Sequence, residues 1–316
     1  MDQKPFENHL TGSWKQEAMA LPMVLWCIAL LTGVTLLLVG IIQGWTEEEA
    51  RAGRLFRARQ QALSGVALAM NPGIHPGDPI LSRDNSSTGE GYRVEIKDVS
   101  GLINPNTWLN PDHRALFERP FALWGLDKLT CETIADRLFD WQSPSPFKSL
   151  KGAKADEYEA NGFPGLPPGR PFSSPEEMNQ VLGFDAVSEL KKDWQSYFTT
   201  YPTNGINILY APKHILTDLL GLTSAQADDW ITRRNGKDGI EGTPDDFNGT
   251  PPPNTNSAAA LWPGVFPTFL PPQCITAAPF GSCLQVESTG FCNGVKHKII
   301  AVVGQSGGTL IGWSEE

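Results

Sequence analysis

The 316 residues are enough for one large or two medium domains, and a hydrophobic content of 40% fits a chain that folds around a core rather than a disordered one. A formal charge of −10 argues against a nucleic-acid surface, which needs clustered Lys and Arg, and is the ordinary charge of a solvated face. With 26 Pro and 31 Gly, long irregular connections are expected between regular elements.

The stretch from Ala18 to Thr46 contains no Asp, Glu, Lys or Arg. A bilayer core roughly 30 Å thick needs about 20 apolar residues in a helix, and Ala20 to Ile42 supplies them. Trp26 and Trp45 add amphipathic rings, the latter placed for the far interface. Lys4 and Lys15 precede the run, and Glu47, Glu48 and Glu49 follow it, a bias that predicts a cytoplasmic N-terminus and a chain otherwise outside the cytoplasm. The run is too long for the core of a cleaved secretory signal, and no small-x-small site follows it in Val39 to Thr46. The junction Gln16-Glu17-Ala18-Met19-Ala20-Leu21 is informative. A small residue directly before an apolar helix, after a short polar leader, is where prepilin peptidase cuts. A cut between Ala18 and Met19 makes 1–18 a leader and puts Met23 at the fifth mature position, where the usual rule wants Glu.

Beyond the membrane the helix is expected to continue. Glu47 to Met70 are good helix formers, with Leu55, Ala62, Val66 and Ala69 at helical spacing, and Asn71-Pro72-Gly73 stops it. One helix of about 50 residues would be roughly 75 Å long. After a polar loop, His75 to Gly89, the alternation of Tyr92 to Lys97 predicts a strand, and Leu102 to Asn106 a second short one ending in a turn. From Pro111 to Arg234 the segments look helical, with Thr130 capping Cys131 to Asp140, Ser174-Pro175-Glu176-Glu177 opening another helix, and Ala211 to Leu220 leading to Thr223 to Arg234. The Pro-rich Pro251 to Pro272 returns the chain to strands at Cys283 to Glu287, Val295 to Val303 and Thr309 to Trp313. The expected class is α+β: a long N-terminal helix (19–71) and an antiparallel sheet domain (72–110 plus 258–316), interrupted by an all-α insertion (111–257).

Candidate sites are few. Gly304-Gln305-Ser306-Gly307-Gly308 matches G-x-S-x-G, but no His follows it, so a hairpin turn is expected there. His9, His75, His113, His214 and His297 are scattered without metal or base spacing, and no catalytic constellation is expected. Ala211 to Arg234 has the shape of a helix-hairpin-helix with Leu220-Gly221-Leu222 as its hairpin. Such units grip DNA phosphates, but Asp218, Asp228 and Asp229 surround this one, which favours packing. In Asn235 to Phe247, Asn235, Asp238, Glu241, Asp245 and Asp246 stand on a Gly-rich loop. Ca²⁺ takes six to eight oxygens, so the loop is either a calcium site, not of EF-hand spacing, or a solvated acidic turn. Cys27 lies in the membrane segment, while Cys131, Cys274, Cys283 and Cys292 would face an oxidising compartment, where four cysteines allow three full pairings.

Together these pieces resemble the general secretion pathway protein K family, the largest minor pseudopilin of type II secretion, as a divergent member. The resemblance is carried by Met19-Ala20-Leu21 with Val24-Leu25-Trp26 and by Gly101-Leu102-Ile103-Asn104-Pro105-Asn106. It continues in Asp140-Trp141, Gly152-Ala153, Pro171-Phe172-Ser173-Ser174 and the terminal strands ending at Trp313. The missing fifth-position Glu is a feature of this family. Departures are Ala18 for its usual Gly, Gln142-Ser143-Pro144 for its acidic run, Lys154 for its Glu, and Asn207-Ile208-Leu209-Tyr210 for its second Asn-x-Asn-Thr. A cation site built from those acids would be lost here. The resemblance implies a pilin-like sheet domain and a non-enzymatic tip subunit that starts pseudopilus assembly and aids export across the outer membrane. It implies processing and methylation at Met19 by prepilin peptidase, an inner-membrane anchor with a periplasmic bulk, and I- and J-type and major pseudopilins as partners, with no nucleic acid. A type IV minor pilin would share the anchor, and a membrane-anchored DNA receptor would share the helix-hairpin-helix.

Overall fold

The computed structural model describes residues 14–110, 113–203, 205–247, 275–278, 280–304 and 309–316. The leader's 1–13, the Pro-rich 251–272, Cys274 and the turn 305–308 lie outside the described residues. Two compact units divide the chain, 1–57 and 58–316.

The described residues of the first unit belong to one helix, α1 (Trp14–Ala69, 56 residues), whose last turns belong to the second unit. From Leu21 it is long and apolar enough to cross a membrane, with a mean hydropathy of 2.5, and none of its apolar window is buried in protein. Side chains such as Met23, Trp26 and Trp45 stand about 70% exposed, which in water would be prohibitive and in lipid is the favoured state. Leu55, expected on the buried stripe, is exposed. The stripe instead runs Ala58, Ala62, Val66, Ala69, all buried.

In the second unit those small residues pack on a five-stranded antiparallel sheet of order β1-β2-β5-β6-β7. The strands are β1 (Ser82–Asn85), β2 (Glu90–Asp98), β5 (Cys283–Cys292), β6 (Val295–Gly304) and β7 (Thr309–Glu315). Tyr92, Val94, Ile96, Val286, Ile299 and Ala301 point at the helix, and their alternation along the strands is what makes those stretches legible. The contact is close. A Cβ on Gly290 of β5 would stand 2.0 Å from the Ala58 carbonyl oxygen and 2.4 Å from the Ala62 nitrogen. Ser288 donates its hydroxyl to the Ala62 carbonyl at 2.8 Å, so this polar side chain buried between helix and sheet is satisfied. At the sheet edge Glu315 of β7 accepts from Arg59 of α1 at 2.7 and 2.8 Å, and from His297 and Trp313 at 3.0 Å.

Strands β2 and β5 are neighbours in the sheet, yet everything from Val99 to Ser282 lies between them in sequence. Short elements fill that insertion: α2 (Pro105–Trp108), α3 (Arg114–Leu123), α4 (Lys128–Gln142), α5 (Ala155–Ala160), α6 (Asp185–Leu190), α7 (Ser224–Arg234), and the two-residue parallel strands β3 (Ile206–Asn207) and β4 (Ile275–Thr276). Its core is aromatic, with Trp141, Trp194, Trp230, Tyr158, Tyr197, Phe117, Phe121 and Phe184 all fully buried. The inserted body begins before position 111, and the short strand β3 within it departs from an all-α insertion. Leu102 to Asn106 is not a strand: Ile103 makes a single bridge to Phe198, and Asn104 caps α2, with Pro105 in the first turn. A proline there loses only an N–H that has no helical partner anyway. Ile103, Trp108 and Leu109 then join the helical core. Four further differences are local. Asp127, not Thr130, caps α4 through the amides of Leu129 and Thr130. The helix after Ser174 is a 3₁₀ helix, Pro175–Gln180. The segment before Leu220 is a single π turn, Ile215–Leu219. The loop 75–89 hides β1, which follows a short 3₁₀ turn.

Candidate functional site

The motifs that carry the family resemblance become joints of the inserted body. Where the chain leaves the sheet, Asp98 accepts from the amides of Ser100 (2.9 Å), Gly281 (3.0 Å) and Ser282 (3.2 Å), tying the departing strand to the returning one. Burial raises its carboxyl above the usual range while those bonds oppose the shift. Gly101 has no room for a side chain, since a Cβ would meet the Ala211 nitrogen and the Tyr210 oxygen at 2.4 Å. Asn106 and Phe172 exchange two amide bonds, at 2.8 and 3.0 Å, which joins two segments of the resemblance across 66 residues of chain.

The longest insertion helix carries two buried carboxylates one turn apart, Asp136 and Asp140. Asp140 receives the Ser149 amide at 2.9 and 3.1 Å and the Ser149 hydroxyl at 2.8 Å. Asp136 receives the Lys151 amide at 2.9 Å and pairs with Arg114. Lys154, where the resemblance implies an acid, donates its ammonium to the carbonyls of Asp140 (2.7 Å) and Ser143 (2.8 Å). A cation at a helix C-terminus is favourable on both hydrogen-bond and dipole grounds. Burial lowers the Lys154 pKa and the Asp140 charge opposes that. The loop that follows α4 and Arg114 of α3 are thus held on α4 by side chains, a relation that helical periodicity does not disclose.

Of the five oxygen ligands read from the sequence in 235–247, the structure gathers three. Carboxylate oxygens of Asp238, Asp245 and Asp246 all lie within 4.8 Å of one another. Glu241 turns away to Arg234 at 2.8 Å, and Asn235 bonds Arg234 and the Gly239 carbonyl. Within the trio, Asp245 accepts from the Lys237 amide at 2.7 Å and the Thr243 hydroxyl at 2.7 Å, and these bonds hold it below the usual carboxylate range, the hydroxyl first. Asp246 accepts from the Gly242 amide at 2.7 Å, while burial pushes its pKa up. Burial likewise pushes Glu241 up to about 7, with Arg234 opposing. The donor set is carboxylate oxygen on a tight glycine turn, which suits a hard cation.

The helix-hairpin-helix outline is present, with Gly221 at φ +77° in the hairpin and Thr223 capping α7 in a reciprocal capping box with Gln226. Of the two arginines in its last turn, Arg233 is exposed and lies over the Phe247 ring at 5.9 Å, while Arg234 turns inward. Arg234 is 4% exposed and gives its guanidinium to the carbonyls of Ile208 (3.0 Å) and Ala211 (2.7 Å), and Lys213 pairs with Asp228. The unit packs.

Cys131, Cys283 and Cys292 are buried. Cys283 and Cys292 open and close the same strand, β5, about 30 Å apart at strand rise. A bond between those two, one of the pairings open in sequence, is therefore excluded, since Cα atoms must come within about 7 Å. Any bond to Cys274 lies outside the described residues. Burial, with the nearby Asp98, pushes the Cys283 thiol up to about 12. Ala18 and Met19 fall inside α1, and Met23 is exposed on it. Strands β6 and β7 pair antiparallel across the G-x-S-x-G segment, whose own residues 305–308 lie outside the described ones.

Residues 98–202 match the family of type II secretion system protein K. Among solved structures, the chain shares its fold with a chain of the GspK–GspI–GspJ complex from the type 2 secretion system of enterotoxigenic Escherichia coli. The TM-score is 0.56 at 15% identity, over 87% of this chain and 97% of that one. Among curated proteins there is no sequence match.

Proposed function

We propose that this chain, whose residues 98–202 match the type II secretion system protein K family, is a minor pseudopilin that caps a pseudopilus and helps to start its assembly, aiding export across the outer membrane. One observation carries the reading furthest: a 56-residue helix packs through Ala58, Ala62 and Val66 on an antiparallel sheet whose adjacent strands β2 and β5 are separated by the helical body. A helix-on-sheet unit with an apolar helical extension suits stacking into a filament, and the body would obstruct a subunit above it. The residue at position 23 supports the same place. Burying a carboxylate in lipid or a helix bundle is costly unless it is paired. Pilin subunits meet that need by pairing a fifth-position Glu with a neighbour's N-terminal amine. A subunit with Met23 there has no acid to satisfy, so a terminal position costs it nothing.

On this reading the leader is removed between Ala18 and Met19 and the new N-terminus is methylated. The anchor lies in the inner membrane with the bulk of the chain periplasmic, and the partners are I- and J-type minor pseudopilins together with the major one. The solved structure that shares the fold is part of a GspK–GspI–GspJ complex. Co-expression of this chain with its I- and J-type neighbours tests the assignment. A stable ternary complex of equal stoichiometry in light scattering is expected, and three separate monomers would contradict it. The loop of Asp238, Asp245 and Asp246 is the proposed Ca²⁺ site. Millimolar calcium is expected to raise the thermal midpoint, and an Asp245→Asn, Asp246→Asn chain should show no rise.

A further inference from the structure

Phe147 is 82% exposed and Leu150 94%. Both exceed every apolar side chain described on the membrane helix, where the largest value is 72%. They sit on one connection, Ser143 to Lys151, between α4 and α5. A flexible loop would relieve such exposure by folding its apolar groups inward. This one is held open. Asp140 grips Ser149, Asp136 grips the Lys151 amide, and Lys154 fixes the Ser143 carbonyl. The Ser145 amide also donates to the Ser143 hydroxyl oxygen (3.3 Å) and the Phe147 amide to the Ser145 hydroxyl oxygen (3.2 Å), while Pro144 and Pro146 restrict the backbone. The two carboxylates at its base are almost fully buried. So much internal fastening serves to present Phe147 and Leu150, not to bury them.

We propose that Ser143 to Lys151 is a preformed docking knob, whose Phe147 and Leu150 enter an apolar pocket with a basic rim on a folded partner protein. Aromatic and aliphatic anchors held rigid before contact lose little freedom on binding. The charge around them selects the partner. Lys148 is paired with Glu157 and Lys151 with Glu132, so the loop's own cations are neutralised locally. Lys148 holds Glu157 down to about 2, fully ionised. The same short helix adds the exposed Asp156 and Glu159. A lipid surface is disfavoured on these grounds, because loops that insert into anionic membranes bring cations of their own to the headgroups.

The test replaces both anchors, Phe147→Ser with Leu150→Ser, in the full chain, expressed in cells deleted for it. Export is expected to fall about tenfold or more, the loss of two buried anchors, with the thermal midpoint and the ternary complex unchanged. The bulk-preserving pair Phe147→Leu with Leu150→Met is expected to keep export. A photo-crosslinking side chain at Phe147 should give a discrete protein adduct that vanishes when Leu150 is Ser. Wild-type export by the Ser pair, an adduct to lipid, or an adduct indifferent to Leu150 would each overturn the proposal. The export readout rests on the secretion assignment. If deletion alone leaves export intact, that assignment fails, and the adduct's dependence on Leu150 decides the knob by itself.

Discussion

The helix-on-sheet unit and the inserted body are built on opposite plans. Between helix and sheet the described contacts are apolar and close, with Ser288 the single buried polar side chain inside and Asp98 at the exit. The inserted body buries Asn104, Asp136, Asp140, Glu177, Asn207 and Arg234. Long helix and wide sheet satisfy their own backbone groups, so their interface can be dry. A body of short helices and long loops leaves amides and carbonyls over, and buried side chains must take them. Asp140 on the Ser149 amide, Arg234 on two carbonyls and Asn106 against Phe172 are three such repairs. The helix-on-sheet part is specified by shape, the inserted body by hydrogen bonds.

Three substitutions would break or sharpen that contrast. The largest effect is expected on the dry side. Gly290→Val forces a branched side chain against the backbone of α1 at a place where even a Cβ stands 2.0 Å from the Ala58 oxygen. Overpacking of this kind should cost about 3 kcal/mol or more, read as a lowered thermal midpoint. Hydrogen exchange should then speed up in the sheet first.

The next effect belongs to the wet side. Asp140→Ala strips the acceptor from the half-buried Ser149 amide and hydroxyl and should cost about 1–2 kcal/mol, the lower part of the penalty for orphaned donors. Exchange should rise in 143–152 and leave β5 and β6 unchanged. A sheet that loosens equally would refute the division between the two plans.

The smallest effect concerns the sheet edge and is read in pH. Arg59 above all holds the Glu315 carboxyl at about 2, against 4.5 ordinarily. A depressed carboxylate stabilises above its unfolded value and loses that contribution as pH falls towards the folded one. Protection of β7, corrected for intrinsic exchange, should therefore decline between about 4.5 and 2. Glu315→Gln should start lower and lack the decline.

These two plans also account for what was legible in the sequence. Shape-specified elements announce themselves locally: the uncharged run of α1 and the alternation in β2, β5, β6 and β7 give their places within a few residues. Strand β1, Ser82-Arg83-Asp84-Asn85, has no apolar alternation to announce it and becomes a strand by pairing with β2. Leu102 to Asn106 looks extended because Leu and Ile precede a proline, whereas Asn104 is a cap and Pro105 a helix start. The repairs of the inserted body join residues from 9 to 66 positions apart, and no periodic spacing encodes them. The acidic loop is intermediate: its oxygens are visible in sequence, but only the fold shows Glu241 turned to Arg234 and three carboxylates left together.

The central claim is that α1 is a filament-assembly helix beginning at Met19. Mass spectrometry of the N-terminus of the chain extracted from membranes of cells with an active prepilin peptidase tests it most directly. A mature chain starting at N-methylated Met19 is the result predicted, and an intact N-terminus at Met1 in those cells would contradict it.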